Sequence, residues 1–157
     1  MGKIIKIMTN KEKELLDIAK EMMSINEYEI ALTGSLMLAY RGINKRREAK
    51  DIDLLISPDA DIEEIKLPFS FDKEDEKVNK DGYVVAFRAY NKDGIKIEVM
   101  ISDEIFHDIN GVPCGSIKEL INAKRTYSTS DTNYNSKMKH TLDLEYLCHN
   151  NDEKVLS

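Results

Sequence analysis

The sequence predicts an α+β fold, in which a mixed β-sheet is flanked by helices and further helices close the chain. Helical periodicity appears at both ends, short apolar runs lie between, and a turn signal joins two of these runs. With 157 residues we expect one domain, with a core over about 28–102 and a C-terminal helical part over about 116–149. The formal net charge of −6 argues against general binding to a nucleic-acid backbone.

Four elements are predicted in the first half of the chain. They are a helix, a strand, a short helix and a second strand, over residues 10–24, 28–32, 36–40 and 52–56. The first helix carries apolar residues at helical spacing, and Asn10 is its expected cap. Thr33-Gly34-Ser35 predicts a tight turn before the short helix, which we expect to end at Gly42. Asp53 interrupts the apolar run of the second strand.

A hairpin is predicted in the middle of the chain. Val78 and residues 83–90 form strand-like runs, and the segment Asn91–Gly94 is a strong turn signal. In the next strand, residues 95–101, apolar and polar side chains alternate. Because side chains alternate between the two faces of a sheet, Glu98 is expected on the face opposite the isoleucines.

Two helices are predicted near the C-terminus. The first spans residues 116–127, where Ser116 and Glu119 have the spacing of a capping box. The second spans residues 137–149 and carries apolar residues flanked by polar ones. The stretch 128–135 between them is polar, and we expect it to form a mobile loop.

Three carboxylates occupy strands that favour apolar residues. Asp51 and Asp53 are two positions apart and therefore project to the same face of their strand. Two neighbouring anions repel each other, and a divalent cation relieves that repulsion. Glu98 joins them if its strand is adjacent. Carboxylate oxygens suit Mg²⁺ or Mn²⁺, so the pattern predicts a metal site at these residues.

A phosphate-binding turn is the second predicted feature. Gly34 allows a ligand to approach the backbone closely, and Ser35 adds a hydroxyl group at the start of a helix. Basic residues follow the short helix, at Lys45, Arg46, Arg47 and Lys50. Together these residues would attract an anionic ligand next to the carboxylates.

Each feature has a common explanation when it is taken alone. A Gly-Ser pair before a helix is usually a turn with a cap, and an Asp-x-Asp pair usually belongs to a loop or a cap. Glu98 alone would suit the solvent face of an edge strand. The order of the three features, and the elements that carry them, favour a functional site over these alternatives.

These residues resemble the signature of the polymerase-β-like nucleotidyltransferase superfamily. The matching segments are Leu32-Thr33-Gly34-Ser35, Asp51-Ile52-Asp53-Leu54 and Ile97-Glu98-Val99. The stretch Arg47–Leu54 also resembles small bacterial nucleotidyltransferase-like proteins of abortive-infection and toxin–antitoxin systems, although Ala49 lacks the hydroxyl of that pattern. The resemblance spans residues 28–147, and its tail is the less specific part.

The resemblance implies a nucleotidyltransferase fold and a reaction. A nucleoside monophosphate would pass from a nucleoside triphosphate to a hydroxyl acceptor, with loss of pyrophosphate. Asp51 and Asp53 would bind Mg²⁺ or Mn²⁺, and Glu98 would complete the metal site and help to deprotonate the acceptor. The acceptor remains open among a protein side chain, a tRNA end and a small molecule.

The same resemblance implies which residues bind the nucleotide. They are Gly34, Ser35, Arg47, Lys50 and Lys124. A solvent-facing role is equally compatible with Arg47 and Lys50. The alternative for Lys124 is a surface lysine at a helix end, and the alternative for Asp143 is a residue of the helix surface or of a salt bridge.

Three functional hypotheses follow. The first is an active nucleotidyltransferase. The second is a catalytically silent relative that acts as a binding module, such as an antitoxin or a partner-binding subunit. The third is a plain α+β interaction domain in which the three acidic residues have no joint function. No stretch is apolar enough to cross a membrane and no signal peptide is evident, so we expect a cytoplasmic protein.

Overall fold

The computed structural model describes residues 8–61, 64–70, 72–74, 78–80, 83–91, 93–130 and 133–156. These residues form four helices: α1 (Asn10–Ile25), α2 (Gly34–Tyr40), α3 (Ile117–Ser130) and α4 (Tyr134–Asn150). They also form eight strands: β1 (Ile30–Thr33), β2 (Ile52–Ile56), β3 (Asp72–Glu74), β4 (Val78–Lys80), β5 (Tyr83–Tyr90), β6 (Lys96–Ile101), β7 (His107–Ile109) and β8 (Val112–Cys114). No helix in this part of the chain is both long enough and apolar enough to span a membrane.

All eight strands belong to one mixed sheet. Its order is β3-β5-β6-β2-β1-β8-β7, and β4 also pairs with β5. The pairs β2–β6 and β1–β8 are parallel, whereas β1–β2, β5–β6 and β7–β8 are antiparallel. The predicted α+β class with a mixed sheet and helices is therefore confirmed.

Side-chain alternation gives the sheet two different faces. In β2, Ile52, Leu54 and Ile56 join the main apolar core together with residues of α1 and α2. Leu55 points the other way, into a small cluster with Ala31 and Met100 that Phe106 covers. Because Asp53 lies between Ile52 and Leu54, it shares the face of Leu55 and stays outside the main core.

The cap of α1 lies one residue before the predicted one. Thr9, and not Asn10, is the N-cap, and its side chain accepts a hydrogen bond from the N–H of Glu12. The Glu12 carboxylate accepts from the N–H of Thr9 in return. This capping box needs Glu or Gln three residues after the cap, so Thr9 meets the requirement, whereas Asn10 would be matched with Lys13.

The prediction of a mobile loop over residues 128–135 is wrong for the residues of this stretch that the structure describes. α3 continues to Ser130, and α4 already begins at Tyr134, with Asn133 as its cap. In the last turns of α3, the hydroxyls of Ser128 and Thr129 both donate to the carbonyl of Arg125. Polar side chains are thus satisfied within the helix, and polarity alone did not end it.

Other local predictions have mixed outcomes. The hairpin at Asn91–Gly94 is confirmed, because β5 and β6 pair in antiparallel fashion around it, although Lys92 lies outside the described residues. The sequence also predicts a turn at Lys80-Asp81-Gly82 and a helical turn over residues 61–66, and both segments include residues outside the described part. Strands β3, β7 and β8 were not predicted. Each has only three residues, too few to show alternation.

Candidate functional site

The turn between β1 and α2 lies directly against Asp53. Thr33 is the register partner of Asp53 across the β1–β2 pair, and Gly34 follows it with φ +68°. A Cβ atom on Gly34 would overlap Asp53 Oδ2 and lie 3.0 Å from its Cγ. Glycine is therefore required here both by the backbone conformation and by the closeness of the carboxylate.

The parallel pairing of β2 with β6 places the third carboxylate beside the second. Asp53 is in register with Glu98, so the two side chains project from the same face of the sheet. Asp51 precedes β2 on the same side. We call Asp51, Asp53 and Glu98 the acidic cluster.

The pKa of Asp53 is strongly raised within the acidic cluster. Burial, together with the negative charges of Glu98 and Asp51, raises its pKa from 3.8 to about 7. The charges of Lys96 and Lys124 oppose this rise without cancelling it. In the described part of the chain, Asp53 forms no ion pair of its own.

Protein cations contact the other two carboxylates. Arg88 Nη2 lies 2.7 Å from Glu98 Oε2, and its Nε donates to the same oxygen at 2.9 Å. Lys96 Nζ lies 3.6 Å from Asp51 Oδ2. Among residues that the structure describes, no three His, Cys, Asp or Glu side chains form a ready-made metal-ligand group. The predicted carboxylates therefore lie on one face of the sheet, but the described side chains are not arranged around a single metal position.

The donor chemistry of the acidic cluster nevertheless fits a divalent cation. Its ligands are hard carboxylate oxygens, and burial together with the two neighbouring carboxylates raises the pKa of Asp53, which disfavours its charged form in the protein alone. A cation at this position would favour the charged form of Asp53 and replace the incomplete neutralisation by Lys96.

On the other side of the turn, basic residues surround one buried carboxylate. Arg47 makes a two-pronged contact with Asp143, with Nη2 at 2.6 Å from Oδ2 and Nε at 3.1 Å from Oδ1. Arg46 Nε lies 2.9 Å from Oδ1, and Lys124 Nζ lies 3.8 Å from Oδ2. We call Arg46, Arg47 and Lys124 the basic cluster. A small, partly open cavity is lined by its three members together with Ser35, Leu38, Lys45, Asp143 and Leu147.

Burial shapes the protonation of this cluster. Burial alone would raise the pKa of Asp143, but the hydrogen bond from Arg47 and the charges of Lys124 and Arg46 hold it below its ordinary value. Burial lowers the pKa of Lys124, against the attraction of Asp143. The alternative that made Lys124 a surface lysine is wrong, since only 8% of it is exposed. Asp143 does form salt bridges, but it is buried and not on the helix surface.

The sequence did not reveal how the basic segment is held. Glu12 is fully buried, and its carboxylate binds Lys45 and accepts a hydrogen bond from the N–H of Ala49 at 2.8 Å. Lys45 Nζ also donates to the carbonyl of Arg47. Lys50 is exposed and forms no ion pair within the described residues. The segment that carries Arg47 is therefore attached to α1.

Three residues of the site were not singled out by the sequence: Glu12, Arg88 and Lys96. The only available signal was alternation, which places Arg88 and Lys96 on the same sheet face as Glu98. The burial of Glu12 and Asp143 depends on contacts between segments far apart in the chain.

Comparisons with known proteins identify the fold. No protein-family model and no curated protein matches the sequence. An antigenic nucleotidyltransferase-like protein from Paracoccidioides brasiliensis superposes with a TM-score of 0.54 and 14% identity, over 90% of this chain and 77% of the other. JHP933 from Helicobacter pylori gives 0.52 and 17%, over 90% and 68%. A candidate nucleotidyltransferase from H. pylori gives 0.50 and 16%, over 88% and 67%. The fold is therefore nucleotidyltransferase-like.

Proposed function

We propose that this protein, which has a nucleotidyltransferase-like fold, is a metal-dependent enzyme. It would transfer a nucleoside monophosphate from a nucleoside triphosphate to a hydroxyl acceptor. The observation that carries the proposal is the position of Asp53, which is in register with Glu98 and packed against Gly34, and whose pKa is raised by burial and by the two neighbouring carboxylates. The three structural neighbours support the general kind of protein, and the metal and the substrates are our inference.

The acidic cluster is the proposed metal site. Asp51, Asp53 and Glu98 would hold Mg²⁺ or Mn²⁺ through their carboxylate oxygens, and Lys96 and Arg88 would then lose part of their role in neutralising the cluster. When bound, such cations stabilise the attacking and leaving oxygens of an in-line phosphoryl transfer. Glu98 is the carboxylate proposed to accept the proton of the acceptor hydroxyl.

The turn and the basic cluster are the proposed nucleotide site. Gly34 allows the Asp53 carboxylate to lie directly against the backbone at the start of α2, and Ser35 lines the same cavity as Arg47 and Lys124. Since Asp143 already occupies the donors of Arg47, a triphosphate would compete with this carboxylate for them. Lys50 is exposed and would add long-range attraction.

The acceptor is proposed only as a hydroxyl group, carried by a protein side chain, a tRNA end or a small molecule. The net charge of −6 disfavours a long nucleic-acid acceptor, because phosphate backbones bind to surfaces with excess Lys and Arg.

Label transfer tests the proposed reaction directly. The protein is incubated with each nucleoside triphosphate labelled at the α-phosphate, Mg²⁺ and cell extract. We expect label on an acceptor with the wild type, and a loss of about a thousandfold with Asp53→Asn. Asp93→Asn is the matched control, because Asp93 is an exposed aspartate in the hairpin turn. No transfer to any acceptor, or equal transfer by both variants, would contradict the proposal.

A second function is favoured by one observation. Protein cations already contact Glu98 and Asp51, as expected for a catalytically silent relative that uses its charges for structure and acts as an antitoxin or partner subunit. Thermal melting separates the two. An enzyme should gain stability only when Mg²⁺ and a nucleotide are both present, by about 2.7 kcal/mol at a hundred times Kd. A silent module should show no such gain.

A further inference from the structure

Helix α4 carries an exposed apolar stripe that the candidate site does not use. Tyr134 is 71% exposed, Met138 and Leu142 are each 40% exposed, and Tyr146 is 36% exposed. Residues four positions apart lie on one side of a helix, so these side chains form a single row. The opposite side of α4 is committed to the protein interior through the buried Asp143 and Leu147. The stripe extends about 18 Å along the helix at 1.5 Å per residue.

The order of side chains in the stripe is nearly the same in both directions. Its two ends are the aromatic residues Tyr134 and Tyr146, and its middle is the aliphatic pair Met138 and Leu142. At a two-fold axis, the same patch of both subunits meets, so that one residue contacts a second residue of the partner subunit and the second contacts the first in return. When two such helices run antiparallel, Tyr134 meets Tyr146 of the partner subunit, and Met138 meets Leu142 of the partner subunit.

We propose that this stripe is the interface of a homodimer, in which α4 packs antiparallel against α4 of a second copy. The occupant is a second copy because the patch complements itself, both in the order of its side chains and in its charges.

Charges beside the stripe support the antiparallel direction. At 100° per residue, Lys137 and Glu145 lie on the same side of the row. In the antiparallel arrangement, Lys137 comes close to Glu145 of the partner subunit, and the two-fold axis repeats the contact. A parallel two-fold arrangement would instead place Lys137 on the same side of the seam as Lys139 of the partner subunit, so that two positive charges meet. Opposite charges that flank an apolar seam determine the direction of pairing in this way.

The interface is expected to be weak. Lys139 lies on the other side of the row, and the two copies of this residue approach each other across the axis. A contact of one helix on another also falls at the small end of specific interfaces. We therefore expect a dimer that dissociates on dilution into the micromolar range. The stripe faces away from Asp143, so dimer formation leaves the candidate site open and does not depend on the proposed function.

Sedimentation velocity over a range of protein concentrations tests the proposal. We expect a monomer–dimer equilibrium for the full chain, and a Kd at least about tenfold higher for both Leu142→Glu and Met138→Glu. Ile105→Glu is the control, because Ile105 is 78% exposed outside α4. The substituted side chains are exposed, so melting curves should show that all three variants fold. A monomer at every concentration would overturn the proposal, as would a dimer that these α4 variants do not weaken.

Charge reversal tests the direction of the helices. Lys137→Glu and Glu145→Lys should each raise the Kd about threefold, and the double variant should return it to the wild-type value. A double variant that dimerises no better than the single ones would overturn the antiparallel arrangement. An unchanged nucleotide-dependent melting temperature in Leu142→Glu would show that the interface and the proposed active site are separate.

Discussion

The acidic and basic clusters lie on either side of the Gly34 turn and carry opposite excess charge, negative in the acidic cluster and positive in the basic one. The acidic cluster has three carboxylates, and two protein cations contact it. The basic cluster has three cations around the single carboxylate of Asp143. Lys124 connects them, since its charge acts on both Asp53 and Asp143.

The contrast supports the kind of ligand that we propose. A metal ion would add positive charge to the acidic cluster, and phosphate groups would add negative charge to the basic cluster. A metal–nucleotide complex would carry both within one molecule. The predictions below test whether the two clusters differ as described.

Removing the carboxylate of the basic cluster should have the largest effect on stability. Asp143→Asn leaves three cations without their partner, one of them the buried Lys124, and should lower the free energy of unfolding by about 3 kcal/mol at pH 7. Because the pKa of Asp143 is lowered in the fold, its contribution is present above the unfolded pKa and is lost as pH falls through the folded value. Urea denaturation at pH 7 and pH 3 measures both.

Asp152→Asn is the matched control for this experiment, since Asp152 is an exposed aspartate just after α4. Its effect should stay within about 0.5 kcal/mol. Equal effects of the two variants would show that the buried salt bridges of Asp143 add nothing to stability.

Removing the Asp53 carboxylate from the acidic cluster should have the opposite effect and raise the free energy of unfolding. Since the pKa of Asp53 is raised to about 7, the folded protein binds this proton more tightly than the unfolded chain does. The free energy of unfolding therefore falls as pH rises from about 4 to about 7, and the penalty is complete above pH 7. Without metal, Asp53→Asn should stabilise the protein by about 2 kcal/mol at pH 8 and have little effect at pH 4. The full pKa difference would correspond to roughly 4 kcal/mol, and solvent screening reduces it because the Asp53 residue is only partly buried. Asp53→Asn that destabilises at pH 8 would contradict this account.

The smallest effect is expected at Lys96. Its Nζ is 3.6 Å from an Asp51 side chain that is 44% exposed, and exposed pairs of this kind contribute little. Lys96→Gln should change the free energy of unfolding by less than about 0.5 kcal/mol. It should, however, raise the pKa of Asp53 further, because the charge of Lys96 lowers that pKa. NMR titration of the Asp53 carboxyl carbon measures the change, and a lower pKa would contradict the proposed interaction.

The sequence predicted the parts of the site that depend on local patterns. Alternation placed Glu98 on a sheet face, the spacing of Asp51 and Asp53 placed both on one side of a strand, and Gly34 marked the turn. The adjacency of β2 and β6 could not be predicted, because the two strands are parallel neighbours joined by a long segment.

Features that depend on distant contacts were missed or misread. Lys124 and Asp143 lie on helices with ordinary polar composition, and their burial comes from the packing of α3 and α4 beside Arg47. Met138 and Leu142 are four positions apart on one side of α4, yet each is 40% exposed, because the buried residues of this helix, Asp143 and Leu147, lie on its other side. Hydrophobic periodicity identifies a helix face, but the tertiary arrangement determines which face is buried.

Glu12 gives the N-terminal helix a role beyond covering the sheet. One carboxylate oxygen accepts a hydrogen bond from the N–H of Thr9 at the start of α1. The other contacts the N–H of Ala49 and the Nζ of Lys45, which lie more than thirty residues further along the chain. The beginning of the helix and the arginine-bearing segment are therefore fastened by the same side chain. A shortened protein that starts after Glu12 would keep the sheet residues of the site but lose the anchor that orients its arginines.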